Sequence, residues 1–339
     1  MQLYVFHNKI MARHHIVQDK YLTQWRDADA GNQLNVYLIT ENKYIKRGPK
    51  WKGFWRDDFN ILDDKVNFYL PERITALIDT QGIEVVRNIK YNEQLSGKKR
   101  SVLAFYIALQ YIRTPRYREE MNKFVNAVIK YSMGEDISSL DKINLSKTEI
   151  LKEKPKNKYE EEFLKKISTM SDEEIRKKTF EFLRSDDFRV CLTNAGHSKQ
   201  IFKIDQLARG LFDSLWLFLV APKGTHSVTS DNPCFTVSQS KIMQGLLSPS
   251  VIVLFPLRPD ICIAIKPSIK THKESFLKLD KKGVCEINQL ILQNSYQCLV
   301  AKDKKQLEIL TKNYDYKNHR KSRDVVIRKI GNYVVFNVE

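Results

Sequence analysis

Between Thr225 and Ile265 the sequence changes its period. "THSVTS", "CFTV", "VIVLFPL" and "ICIAI" are short apolar or alternating runs bounded by turn residues, the pattern of strands. The last two are joined by Arg258-Pro259-Asp260, a hairpin corner. Upstream the period is helical. Ile74, Leu77, Ile78, Val85, Val86 and Ile89 recur at three and four along a helix expected from Asn67 to Asn88. Leu103, Ile107, Tyr111, Phe124 and Val128 do the same from Lys98 to about Tyr131, where Pro115 imposes a break after Thr114. Helices dominate the first two thirds and strands the last. The expectation is an α+β fold, with a helix-rich N-terminal two thirds packed on a mostly antiparallel sheet built largely from the C-terminal third. We expect one integrated domain over 1–339.

Around this frame the remaining elements fall into place. Residues 14–26 suggest a short helix and Gln33 to Ile39 a strand, with the turn residues of "DADAGNQ" between them. "RGPKWKGFWRDDFN", Arg47 to Asn60, is irregular and aromatic. Residues 134–182 are rich in lysine and glutamate, split by Pro155 and thinly apolar, which suggests a peripheral insertion of exposed helices. Ile201 to Ala221 is apolar around most of a helical surface and suggests a buried helix. A helix at Cys285 to Ser295, a strand at Gln297 to Ala301, a further helix and two closing strands around Gly331-Asn332 complete the chain.

Charge sets the partner class. Lys and Arg number 57 against 40 Asp and Glu, a net charge of +17, and such an excess favours polyanions. RNA or DNA is the first partner to consider, and an anionic membrane surface the second. The most apolar stretch, Leu211 to Ala221, contains Asp213 and is shorter than the roughly 20 residues a membrane span needs. The start, "MQLYVFHNKIMARHH", lacks the uninterrupted apolar core of a signal peptide. Five widely spaced cysteines with no CxxC argue against a disulfide framework or zinc knuckle and for reduced thiols in a cytoplasmic protein.

A handful of polar residues carry the chemistry. His14 and His15 sit at the expected helix start, where the helix dipole disfavours imidazolium and leaves a neutral base; the alternative is one histidine capping and one packing. Gln110, Arg113 and Arg116 recur at three on one helix, either as a clamp for phosphate or as arginines reaching out of an apolar helix. In "HSVTSDNPCF", Ser230, Asp231 and Asn232 lie at a strand end, where ligands collect in sheets and where Asx-turns also form for local reasons. Trp51 and Trp55 alternate with Lys50, Lys52 and Arg56, an arrangement that either stacks bases or pins a loop to the core. Glu41-Asn42-Lys43 resembles half of a nuclease metal motif and equally a hairpin turn.

Together "HHIVQDKYL", "IALQYIRTPRYR", "VTSDNPC", "VLFPLRPD" and "INQLILQNSYQCLVA" resemble the bacterial family called domain of unknown function 4238, in order and spacing, from His14 to about Ala301. The resemblance points to His14, His15, Gln110, Arg113, Thr114, Ser230, Asp231, Asn232, Pro233 and Asn288. This chain departs from the pattern at Gln18, where the family has proline. It departs again at Asp79, the match to a glutamate on the first long helix. The resemblance implies a fold and a site, and no particular reaction.

The expected function is that of a nucleic-acid-directed hydrolase of nuclease type, of the kind used in phage defence or as a toxin effector. His14, His15, Asp79, Gln110, Arg113, Asp231 and Asn232 would form the catalytic pocket, with Thr114, Arg116, Ser230, Trp51 and Trp55 binding substrate. Mg²⁺ is a possible cofactor, with Asp79 and Asp231 as its ligands. On this view His15→Ala and Asp231→Ala remove activity and leave thermal stability little changed. The alternative is a binder of nucleic acid or of a small anion, its polar cluster serving the fold.

Overall fold

The computed structural model describes residues 13–28, 31–57, 59, 70–136, 146–238, 240, 245–319, 321–323, 325–330 and 333–338. The expected helix start at Asn67 and the turn at Gly331-Asn332 lie outside them. In chain order the elements begin β1 (Arg13–His15), α1 (Asp19–Leu22), β2 (Leu34–Leu38), β3 (Lys43–Arg47), β4 (Trp55–Asp57), α2 (Leu70–Arg87), α3 (Gly97–Ile112) and α4 (Pro115–Asp136). Then come α5 (Lys147–Ile150), α6 (Lys158–Ser168), α7 (Asp172–Arg184), α8 (Asn194–Ser198), α9 (Ile204–Phe212), β5 (Ser214–Val220), β6 (Thr229–Ser230) and β7 (Phe235–Ser238). The last are β8 (Val251–Arg258), β9 (Ile261–Lys270), β10 (Glu274–Lys278), α10 (Lys281–Asn294), β11 (Cys298–Ala301), α11 (Lys304–Thr311), β12 (Val325–Ile330) and β13 (Tyr333–Val338). The fold is α+β. The chain divides into two compact units, 1–120 with 192–324 and 338–339, and 121–191 with 325–337.

The first unit holds two larger sheets. One runs β10-β5-β9-β8-β7, with β10 parallel to β5 and every other pair antiparallel; the other runs β3-β2-β11-β6 and is antiparallel throughout. Alternate residues of a strand face opposite sides, and along β11 and most of β8 both sides are dry. Val253, Phe255 and Leu257 of β8 join the core shared with α2, α3 and α9, whereas Leu254 joins the core under α10 and α11. Val300 and Leu299 of β11 divide between the same two cores. Double burial explains why these strands appear in the sequence as nearly unbroken apolar runs.

Double burial also corrects one expectation. Ile201 to Ala221 is not one helix: α9 ends at Phe212, and Ser214–Val220 is the strand β5, held between β9 and β10. Trp216 and Phe218 are fully buried while Leu215, Leu217 and Leu219 are half-buried, a two-residue alternation hidden by apolar residues on both faces. Nor do residues 14–26 form one helix. Arg13–His15 pairs antiparallel with Trp55–Asp57, and the helix that follows is the short α1, continued by a 3₁₀ turn at Thr23–Trp25. Partners some forty residues away decide this strand, and no local pattern records them.

Buried polar groups lock the layers. Tyr21 donates its hydroxyl to the Pro256 carbonyl at 2.6 Å, and Trp25 Nε1 donates to the Ser227 carbonyl at 2.8 Å. Arg100, buried in α3, donates to Glu274 Oε1, to the Phe212 carbonyl and to the Ser214 carbonyl, with its guanidinium 4.2 Å from the Trp216 ring centre. The cation is thereby both paired and hydrogen-bonded, as a buried charge must be.

The second unit takes most of α4, all of α5, α6 and α7, and the two-stranded sheet of β12 with most of β13. Its helices are capped by their own sequence. Asn157 and Ser171 accept from the backbone three residues on, and Ser171 with Glu174 completes a capping box. Such local caps suit helices with few buried side chains, and Ile167 and Ile175 are the buried residues of α6 and α7. Among the described residues no helix is long and apolar enough to cross a membrane. All five cysteines are free thiols, with Cys234, Cys262 and Cys298 buried and Cys191 and Cys285 exposed.

Candidate functional site

The site begins with a glycine. A Cβ at Gly82 of α2 would lie 2.3 Å from the Tyr106 ring of α3, so the two helices reach this separation only because position 82 has no side chain. One turn before Gly82 is Asp79; one and two turns after Tyr106 are Gln110 and Arg113. The close crossing brings them together. Arg113 Nη1 donates to Asp79 Oδ2 at 2.7 Å, and Gln110 Nε2 donates to Asp79 Oδ1 at 3.4 Å. Arg113 is the C-cap of α3, and its N–H closes on the Leu109 carbonyl. Pro115 then starts α4.

Burial makes this cluster electrostatically tense. Desolvation raises the Asp79 pKa although the Arg113 charge pulls it down. Arg113 is 2 % exposed, yet among the described residues its Nε and Nη2, like Gln110 Oε1, have no hydrogen-bond partner. Buried donors in folded proteins are almost always paired, so two unpaired N–H positions on one guanidinium are an invitation to an acceptor.

The N-terminal segment closes the cluster from another side. His15, half-buried on β1, has its pKa lowered, chiefly by burial, with Asp19, Arg113, Asp79 and Lys50 all within electrostatic reach. It is neutral at pH 7 for that reason, not because of the helix start expected from the sequence, which is a strand here. His14 is fully buried, with Nε2 3.9 Å from Glu72 Oε2 at the start of α2. Gln18, the departure from the family pattern, does work a proline could not. Its Nε2 donates to the Asp79 carbonyl at 3.1 Å, and its Oε1 accepts from the Tyr106 hydroxyl at 3.0 Å. Gln18, Glu72 and Tyr106 are the members of this site that sequence patterns did not single out. The family departure at 18 was the one available signal.

The Ser230-Asp231-Asn232 corner behaves differently. Asp231 is 1 % exposed, and its two oxygens accept the backbone N–H groups of Tyr296 at 2.9 Å and Gln297 at 2.8 Å. Burial pushes its pKa up to about 6 against those hydrogen bonds. Asn232 accepts from Thr114 Oγ1 at 2.9 Å and donates to the Asn294 carbonyl at 2.7 Å, while Ser230 Oγ accepts the Asn232 N–H. Asn288 holds the other end of the segment through the Val228 N–H and the His226 carbonyl. Arg116 likewise spends its donors on Glu120 and on the Gln293 and Ser295 carbonyls. These residues fasten the end of α10 and the start of β11 to the neighbouring strand. With these bonds Asp231→Ala should cost stability, which reverses the expectation of a stability-neutral change.

The aromatic loop divides its residues between two tasks. Phe54 is fully buried and anchors it, with Trp51 edge-on at 5.4 Å. Trp51 and Trp55 stay half-buried, with Arg47 and Lys52 respectively near their rings. Glu41-Asn42-Lys43 is the β2–β3 turn, with Asn42 at φ 49, so the nuclease-like trimer has a backbone explanation. Among the described residues no group of three or more His, Cys, Asp or Glu is placed to hold a metal ion. Both oxygens of Asp79 and of Asp231 already accept N–H donors.

The candidate site therefore brings together His15, Asp79, Gln110 and Arg113, with Gln18, Tyr106 and Gly82 shaping the cluster and Thr114 linking it to the Asn232 corner. Comparison with curated proteins returns no match, and neither does comparison with solved structures. A family model described as protein of unknown function (DUF4238) matches residues 13–305, which takes in every motif named above. The chain belongs to that family.

Proposed function

We propose that this chain hydrolyses phosphodiester bonds in nucleic acid at the His15–Asp79–Gln110–Arg113 cluster. One observation carries the proposal: Arg113 is held by Asp79 through Nη1 and keeps Nε and Nη2 unpaired. Those two N–H groups have the spacing of the planar fork that grips two phosphate oxygens. Asp79 orients the guanidinium. His15, neutral because burial lowers its pKa, takes the proton of the attacking water and returns it to the leaving oxygen as the P–O bond breaks. Arg113 stabilises the charge gathered on the phosphorus oxygens between those events. The net charge of +17 draws the polyanion in.

The test is incubation of the purified chain with labelled RNA, single-stranded DNA and plasmid, each with Mg²⁺ and with EDTA. Cleavage that disappears in His15→Ala, with oligonucleotide binding retained, supports the proposal. Binding without cleavage under every condition overturns it in favour of the second reading, a non-catalytic binder. That reading is favoured by Asp79, whose two oxygens are both already occupied.

A further inference from the structure

A cleft of about 380 Å³ opens beside β4, on the opposite side of the β1–β4 ribbon's Arg56 from its Trp55 neighbour, and is lined by Thr40, Glu41, Trp51, Lys52, Arg56 and Gln297 among others. We infer that it seats one nucleotide of a single strand, and that the substrate class of this protein is single-stranded nucleic acid. The inference rests on the nucleic-acid reading above for its ligand class, and it concerns a different set of residues.

Four observations converge. Residues 42–56 contain six cations, Lys43, Lys46, Arg47, Lys50, Lys52 and Arg56, and no acid; Lys52 and Arg56 line the cleft, and Glu41 is the acid in its lining. A Cβ at Gly53 would lie 2.0 Å from the Trp51 ring, so glycine is what lets this indole, part of the cleft lining, pack against the backbone at 53. The Arg47 guanidinium stands 6.0 Å from the Trp51 ring centre, the outer limit of a cation–π contact, a loose partner that a stacking base at van der Waals distance would outcompete. Arg56 donates through Nη2 to Gln297 Oε1 at 3.1 Å, which fixes the amide and turns Gln297 Nε2 into an available donor for a base edge.

Size and position narrow the ligand. The volume sits near the lower end for small-molecule sites, enough for a nucleoside unit and too little for a paired and stacked duplex. Glu41 in the lining repels a phosphate but accepts from a base N–H, such as the N3–H of thymine or uracil, so the base enters on that side and the phosphate lies toward Lys52 and Arg56. In the ribbon Arg56 stands opposite His14 and Trp55 opposite His15. Cross-strand partners share a face, so Arg56 and His14 lie on the cleft side of the ribbon and Trp55 and His15 on the other: the cleft binds the strand and does not itself hold the proposed base.

The experiment uses the full chain, a fluorescein-labelled 12-nucleotide oligo(dT) and oligo(U), and a 12-base-pair duplex, read by fluorescence anisotropy from 50 to 200 mM salt in EDTA. The expected result is single-strand binding at least about tenfold tighter than duplex binding, weakened about tenfold by Lys52→Glu, with the salt slope reduced by about 0.7. Oligonucleotide binding should quench tryptophan fluorescence, and Trp51→Phe, which conserves an aromatic ring against Phe54, should remove that component. Equal affinity for duplex and single strand, or affinity and quenching unchanged in both variants, overturns the inference. Failure of cleavage with these binding results intact overturns only the hydrolytic proposal; cleavage without any single-strand preference overturns only this one.

Discussion

Asp79 and Asp231 are two buried aspartates in the same unit, both with pKa values raised by desolvation, and they do different work. Asp231 faces backbone: its oxygens accept two main-chain N–H groups, and nothing is left over. Asp79 faces side chains, and one of them, Arg113, retains two unpaired donors. A carboxylate that satisfies backbone is part of the fold's hydrogen-bond accounting. One that aims a guanidinium through a single nitrogen leaves that guanidinium with donors unspent among the described residues. The residue type is the same and both are largely buried, 9 % exposed for Asp79 and 1 % for Asp231, so the identity of the partners is what most separates the two.

The comparison breaks first at Arg113. Arg113→Met leaves Asp79 buried without its cation and should lower the unfolding free energy by about 3–5 kcal/mol in denaturant titration. Asp79→Asn combined with Arg113→Met should recover most of that loss without restoring cleavage or anion affinity. A single variant as stable as the parent would show that the pair is not coupled. Asp231→Ala comes next. It orphans the Tyr296 and Gln297 N–H groups, at about 1–3 kcal/mol each, and below its lowered melting temperature should bind oligonucleotide as the parent does. Unchanged melting with lost activity would move Asp231 back into the site.

Gly82→Ala tests the helix crossing itself. Pressing a methyl into the Tyr106 ring should cost about 1–3 kcal/mol and loosen the Asp79–Arg113 pair, whereas Gly97→Ala, with open space around its Cβ, should be near neutral. Equal melting temperatures for the two variants would remove the glycine argument.

The smallest effects lie in pH, and they run in opposite directions. Asp231 has a folded pKa raised from 3.8 to about 6, so its neutral form favours folding. That contribution is full below pH 3.8 and is lost as pH rises through about 6. Asp231→Asn should flatten this part of the stability profile. His15 has a folded pKa below 6.5, so its contribution is full above pH 6.5 and is lost as pH falls through the folded value. The acid limb of any cleavage rate should accordingly lie below pH 6.5. A limb above it would exclude His15 as the base.

Much of the architecture was legible because it is local. Most of the stripe on α2, though not Leu77, which is 60 % exposed, the break at Pro115, the Asn42 turn and the Arg258–Asp260 corner each follow from periodicity or turn chemistry within a few residues. β5 was not legible, since apolar residues on both faces erase the alternation that marks a strand. β1 was hidden for a different reason: three residues hold too little pattern, and their pairing comes from Trp55–Asp57. Gln110 and Arg113 could be named as a clamp from their spacing. That Asp79 rather than Asp231 is their carboxylate could not.

The sequence by itself determined the fold class, the family, the surplus of positive charge and the short roster from which any site must be drawn. Tertiary structure decided which members of that roster keep unspent donors among the described residues and which meet main chain. Its deciding bonds join Asp79 to Arg113 across 34 residues and Asp231 to Tyr296 across 65. Contacts over such separations leave no periodic trace in a chain, because only folding brings their two halves within hydrogen-bonding distance.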